Sequence, residues 1–242
     1  MTLCLERRRM HAALVPLAVF AIGLIGPPVV HAQGLIHELP PDGTSVRFHI
    51  AVTQKSGDGQ SNNVAAELVV SSVGVAKTDA GAVRWIELSL RLPDATHLLK
   101  LAIPEKHFGK SEDPFAHIRR AWLKRDDGEA EQVEPERARR AVAVFLVPHF
   151  EGLAGDKSET IDTKLGKLDC TIREGKAAAT IDNTTIESTS KFWLNSKAPL
   201  GWAQLELRRK TTRGGEFVRE STSRFTIAEV KEKAVSELPD RQ

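Results

Sequence analysis

Ile86, Leu88, Leu90 and Leu92 alternate with Glu87, Ser89 and Arg91. A two-residue period suits an extended chain that lays one face on a core and leaves the other to water. A helix would scatter the same side chains around its axis. The period also runs through Val46, Phe48, Ile50 and Val52, which alternate with Ser45, Arg47, His49 and Ala51. Val64, Ala66, Leu68 and Val70 repeat it. Lys55 to Asn63 is a polar connection, and Pro93-Asp94-Ala95 turns the Leu-rich segment into Leu99, Leu101 and Ile103. These successive segments predict an antiparallel meander with one wet and one buried face.

A second β block follows from Thr160. Leu168, Cys170 and Ile172 alternate with Lys167, Asp169 and Thr171, which places Cys170 on an apolar side. Ile186, Ser188, Ser190, Phe192 and Leu194 share one face opposite Glu187, Thr189, Lys191 and Trp193. Ala203, Leu205 and Leu207 point inward opposite Trp202, Gln204, Glu206 and Arg208, and Phe217, Ser221, Ser223, Phe225 and Ile227 form the last inward row. Between the blocks, Phe115, Ile118 and Trp122 recur at helical spacing after Pro114. Ala138, Ala141, Val142 and Phe145 also fit one helix face, although Ala141 to Val147 reads equally as a buried strand ended by Pro148. The expected fold is mainly β with some α: a curved antiparallel sheet of roughly eight or nine strands, with a helical insert around 111–147 packed on it.

The N-terminus carries Arg7, Arg8 and Arg9, then an apolar run from Ala12 to Ile25 and small residues around Val30-His31-Ala32. This is the pattern of a cleaved export signal, with cleavage before Gln33 and a periplasmic or extracellular destination. The expected organisation is a signal peptide at 1–32, a single β-rich domain at 33–230 and a flexible tail at 231–242. Loss of Arg7, Arg8, Arg9 and Glu6 takes the 34 basic and 32 acidic residues of the chain to 31 of each. A neutral chain lacks the positive field that nucleic acid requires. Cys4 leaves with the signal, so Cys170 has no disulfide partner within the chain. After Ile25 no apolar run approaches the roughly 20 residues of a membrane helix, so no span is expected after cleavage.

Candidate chemistry is sparse. Pairing Trp193 with Trp202 also opposes Thr189 to Glu206 and Glu187 to Arg208, which joins a Trp pair and an ion pair in one hairpin register. Both rings would then lie on the outer face, either as an aromatic platform for a glycan or apolar ligand, or covered by another segment. Ser188, Ser190, Ser221 and Ser223 put small polar groups mid-row on core faces. Such a place is a wet cavity or a site of close packing. As a cavity it predicts a ligand groove lined by these serines and walled by Phe192 and Phe225. His97, His107 and His117 lie near Asp94, Glu105, Glu112 and Asp113, and they read as surface histidines or as a dispersed metal or hydrolase site. There is no H-E-x-x-H, no G-x-S-x-G elbow and no Gly-rich phosphate loop. No cofactor and no catalytic residue is expected, and Cys170 reads as inert packing. Arg119-Arg120 and Lys124-Arg125 are answered by Asp126, Asp127, Glu129 and Glu131, which reads as a solvated face.

Several segments resemble an uncharacterised family of exported bacterial proteins. They are Arg84-Trp85-Ile86-Glu87, Leu101-Ala102-Ile103-Pro104-Glu105, Gly166-Lys167-Leu168-Asp169-Cys170, and Lys191-Phe192-Trp193 leading to Ala198-Pro199-Leu200-Gly201. The last of these is also similar to exported proteins of the lipoprotein-carrier type. That resemblance implies an unclosed barrel with helices over its concave side and a sheltered apolar groove. The expected role is a non-enzymatic binding, carrier or interaction module for an apolar ligand or envelope component. The alternative is an extracytoplasmic hydrolase or metal-dependent enzyme around His97, His107 and His117.

Overall fold

The alternating segments form strands of unusual length, and the length is what curves the sheet. In a computed structural model, residues 32–79, 81–108, 113–145, 150–151, 154–181 and 183–238 are described. The expected signal peptide, 1–32, lies outside them except for Ala32. The elements in chain order are β1 (Ala32–Gln33), β2 (Ser45–Ser56), β3 (Ser61–Thr78), β4 (Gly81–Arg91), β5 (Thr96–Pro104), β6 (Arg120–Arg125), β7 (Glu131–Val133), α1 (Pro135–Phe145), β8 (Phe150–Glu151), β9 (Ser158–Thr163), β10 (Gly166–Ile181), β11 (Thr184–Leu194), β12 (Trp202–Arg213) and β13 (Glu216–Lys231). Eleven of the strands make one antiparallel sheet in the order β7-β6-β5-β4-β3-β2-β13-β12-β11-β10-β9, rather than eight or nine. The two β blocks are therefore halves of one sheet, joined where β13 pairs with β2.

Strands as long as the 18 residues of β3 accumulate right-handed twist, and bulges at Ser72/Val75, Trp193/Leu194, Thr211/Thr212 and Ile227/Glu229 bend the sheet further. The sheet curls enough for β9 to touch β13, although β12, β11 and β10 lie between them. It does not close, because β7 and β9 remain its edges.

The concave face holds the core. Inward rows cross the sheet in register: Phe225 pairs with Ile50, Ile227 with Phe48 and Phe48 with Leu68. At its centre Trp202 is fully buried, stacked on Phe48 at 4.4 Å and met edge-on by Phe192 and Phe225. Its Nε1–H donates to the Leu35 carbonyl at 2.8 Å, so the lead-in segment roofs the ring. Burying a ring of that size is worth roughly 4–6 kcal/mol before entropy is counted. Gly201, just before it, sits at φ +81°, and a Cβ there would lie 2.9 Å from His37 Cδ2, so only glycine lets the lead-in approach.

Two expectations for the insert and the tail are corrected. Trp122 lies on a strand, not on a helix with Phe115 and Ile118. Phe115 belongs to a 3-10 turn, Pro114–His117, and β6 follows with Ala121, Trp122 and Leu123 all buried. Burial on both faces hides the strand period from the sequence. Pro135–Phe145 is a helix, so Ala141 to Phe145 is not a strand, while Leu146 and Val147 of that alternative lie outside the described residues. The tail does not fray up to Leu238. Leu238 is buried against Leu98 and Trp122 on the outer face, and Lys100 Nζ, itself buried, donates to Ser236 Oγ at 2.8 Å and to the Leu238 carbonyl at 3.2 Å. Glu87, 3.9 Å from the Lys100 ammonium, accepts from Ser236 Oγ and from the Glu237 amide at 2.9 Å.

Candidate functional site

The concave face is roofed differently at its two ends, and the difference decides where a ligand could enter. Over β3 to β6 the roof is α1. The register carries one inward row from Leu68 to Leu90 to His97 to Arg125, and the neighbouring row from Val70 to Leu88 to Leu99 to Leu123. Helix α1 meets these rows with small side chains, Ala138 and Val142 buried and Ala141 half-buried. Small side chains on a leucine floor leave space. An apolar pocket of ≈ 50 Å³ lies there, floored by Leu68, Leu88, Leu90, Leu99 and Leu123 and roofed by Ala141 and Val142. His97, half-buried, and Arg125, exposed, are the two polar side chains of its lining.

The serine groove expected in the second β block falls on the same concave face, across the sheet from this pocket. One row runs Gly175, Ser190, Leu207, Ser223, Val52, and the next Ala177, Ser188, Arg209, Ser221, Gln54. Ser188 and Ser190 are buried, and Ser221 and Ser223 half-buried. The Ser190 hydroxyl has no hydrogen-bond partner among the described residues. Phe192 and Phe225 border the strip as part of the Trp202 cluster. Burial pulls the Arg209 guanidinium below its usual range, and Arg219 on the same face adds to the shift. Phe217, expected to face inward, is 38% exposed.

The Trp pair is corrected. The hairpin register opposes Thr189 to Arg208 and Glu187 to Lys210, two residues from the expected pairing, and a bulge then opposes Leu194 to Trp202. That extra residue turns Trp202 onto the concave face. Trp193 stays on the other face, yet it is only 4% exposed, with Lys191 Nζ over its ring and its Nε1–H donating to Glu159 at 3.1 Å. No open aromatic platform is formed. Cys170 shares the Trp193 face, because Ile172 pairs with Trp193, and burial first, then Asp169 and Glu159, pushes its thiol up.

The three histidines do not converge. His97 begins β5 and His107 follows its far end, with about 23 Å of strand between His97 and Pro104. His107 and His117 do meet, their rings stacked at 3.5 Å and 5° between two 3-10 turns, Glu105–His107 and Pro114–His117. Among the described residues no group of three His, Cys, Asp or Glu could hold a metal ion. No described helix is long and apolar enough to cross a membrane.

The pocket was partly legible. His97 has the parity of Leu99, Leu101 and Ile103, which assigns it to the concave face rather than to a loop. Arg125 has the parity of Ala121 and Leu123, a signal hidden by the helical spacing of Trp122.

No family model matches the chain, and no curated protein does. Among solved structures, the chain is similar to a protein with a YmcC-like fold from Bacteroides fragilis, at 10% identity over 84% of this chain and 100% of that one, with a TM-score of 0.36. A DUF1329-family protein from Desulfovibrio piger matches at 10% identity over 83% and 89%, with a TM-score of 0.32. A LolA-superfamily protein from Nitrosomonas europaea matches at 11% identity over 85% and 91%, with a TM-score of 0.25.

Proposed function

We propose that the protein is a non-enzymatic extracytoplasmic module that binds and carries an apolar ligand on the concave face of its open sheet. The observation that carries this reading is the leucine-floored pocket under α1. Ligand sites are apolar concavities with a few placed polar groups, and this one has five leucines, one His and one Arg. At ≈ 50 Å³ it is smaller than the roughly 150 Å³ cavity that admits benzene, so loading requires α1 to lift from the sheet. Helix α1 is suited to that. It is 11 residues long, and its described side chains on the floor are the small Ala138, Ala141 and Val142. The export signal in the sequence supports the location.

The serine strip would extend the same ligand face, with Ser188, Ser190, Ser221 and Ser223 as its polar middle and Phe192 and Phe225 as its walls. Uptake of the fluorescent apolar probe N-phenyl-1-naphthylamine tests both ends. Ala141→Phe fills the pocket and should reduce probe uptake at least severalfold with an unchanged urea midpoint. Unchanged uptake would overturn the carrier reading of the pocket. Ser190→Phe should lower uptake with the fold intact. Destabilisation by roughly 1–3 kcal/mol instead would make the serines packing residues.

A further inference from the structure

One long strand of the sheet is left uncovered over half its length. Strand β10 runs over Gly166–Ile181, but β9 pairs with it only from Gly166 to Thr171, and a single bridge then joins Ala154 to Glu174. Beyond that bridge, 175–181 pair with β11 on one side and with no strand of the described residues on the other. The hydrogen bonds already made show which groups face the open side. The Ile172 amide donates to the Lys157 carbonyl, and Glu174 exchanges both of its backbone bonds with Ala154, so every second residue points its N–H and C=O away from β11. The next in that series are Lys176, Ala178 and Thr180, and all three are exposed. Natural sheets blunt such edges with charge, proline or bulges. The edge strand β9 carries Glu159 and Asp162, whereas 175–181 read Gly-Lys-Ala-Ala-Ala-Thr-Ile, with one charge, no proline and no register shift against β11.

We propose that this edge is the interface of a two-fold dimer, in which β10 of a second copy pairs antiparallel with β10. Ladder bonds are exchanged between residues whose backbone groups both face the junction. Placing the axis at Ala178 opposes Ala178 to itself and Lys176 to Thr180, so the three open residues of each copy are all used and exchange six backbone hydrogen bonds. In that register the Lys176 ammonium meets a neutral hydroxyl, and the small Ala178 side chain lets the strands meet on the axis. An axis at Lys176 would instead oppose two ammonium groups, which is destabilising. An edge alone buries less than the roughly 1,200–2,000 Å² of a stable complex, so the dimer forms and dissociates with concentration. The proposal is independent of the carrier reading, because β10 lies across the sheet from the pocket under α1.

Sedimentation equilibrium of the purified protein from about 1 µM to 1 mM should show a reversible monomer–dimer equilibrium. Ala178→Pro deletes the N–H that bonds across the axis and should weaken the dimer about tenfold or more. Because that N–H faces away from β11, the urea midpoint should change little. Ala178→Lys and Ala178→Glu each put like charges on the axis and should each weaken self-association severalfold. An equal mixture of these two variants should recover the dimer, since Lys then opposes Glu, and a general loss of folding cannot produce that recovery. A monomer throughout the range, a dimer indifferent to the three variants, or no recovery in the mixture overturns the proposal. Growth beyond the dimer also overturns it, in favour of pairing between β10 and 61–66 of β3, the edge left open where β4 stops pairing at Glu67.

Discussion

Replacing Glu87 with leucine should release the C-terminal segment from the outer face and lower stability by about 3–5 kcal/mol, the usual cost of removing one partner of a buried, hydrogen-bonded ion pair. The estimate follows from what Glu87 touches. Its carboxylate is 4% exposed, lies 3.9 Å from the Lys100 ammonium and accepts from Ser236 Oγ, from the Glu237 amide at 2.9 Å and from the Leu238 amide at 3.4 Å. Without it, Lys100, with 2% of its side chain exposed, loses a carboxylate 3.9 Å away while keeping Ser236 Oγ and the Leu238 carbonyl. Lys100→Met should cost less, about 2–3 kcal/mol, because three donors on the tail still satisfy the carboxylate. The double variant should recover roughly 1–3 kcal/mol relative to the sum of the two, since Leu and Met suit the apolar neighbours Leu98, Trp85 and Trp122. Urea unfolding followed by Trp fluorescence reads all three variants, and hydrogen exchange at 236–238 reports whether the strap has opened. A single-variant cost under about 1 kcal/mol, as for an exposed ion pair, would refute the buried-pair argument, as would strict additivity in the double variant.

Two further outcomes follow from the lead-in segment. Gly201→Ala should destabilise by about 1–3 kcal/mol, because it forces a positive φ on alanine and drives its Cβ into His37; an unchanged urea midpoint would show that the lead-in does not press on this turn. Burial holds the His37 imidazole below its ordinary value of 6.5, against the smaller raising effect of Glu38. Its stabilisation is therefore fully present above pH 6.5 and is lost as the pH falls from there through the folded value. Unfolding midpoints between pH 7.5 and 5 should decline more steeply in the wild type than in His37→Gln, and parallel curves would contradict this.

What the sequence determined by itself was the set of faces. The inward rows Val46–Phe48–Ile50, Ile86–Leu88–Leu90 and Leu99–Leu101–Ile103 are all on the concave side, because the period of a pleated strand is local and needs no knowledge of the partner. The antiparallel pairing followed from those rows and from the turns between them, and the unclosed form was implied only by the resemblance to lipoprotein carriers. Tertiary structure decided what local pattern cannot carry. One extra residue at the start of β12 moved Trp202 from the outer face into the centre of the core, and a bulge has no fixed signature in the residues around it. Trp122 became a strand residue because the C-terminal strap buries one face of β6 while the concave core buries the other, and two covered faces erase alternation. The pocket needed both: His97 and Arg125 are 28 positions apart in the chain and are brought opposite each other by strand pairing, near Ala141 and Val142 of α1. Contacts made over such separations are set by which surfaces the whole chain can bury at once, and no window of neighbouring residues contains that information.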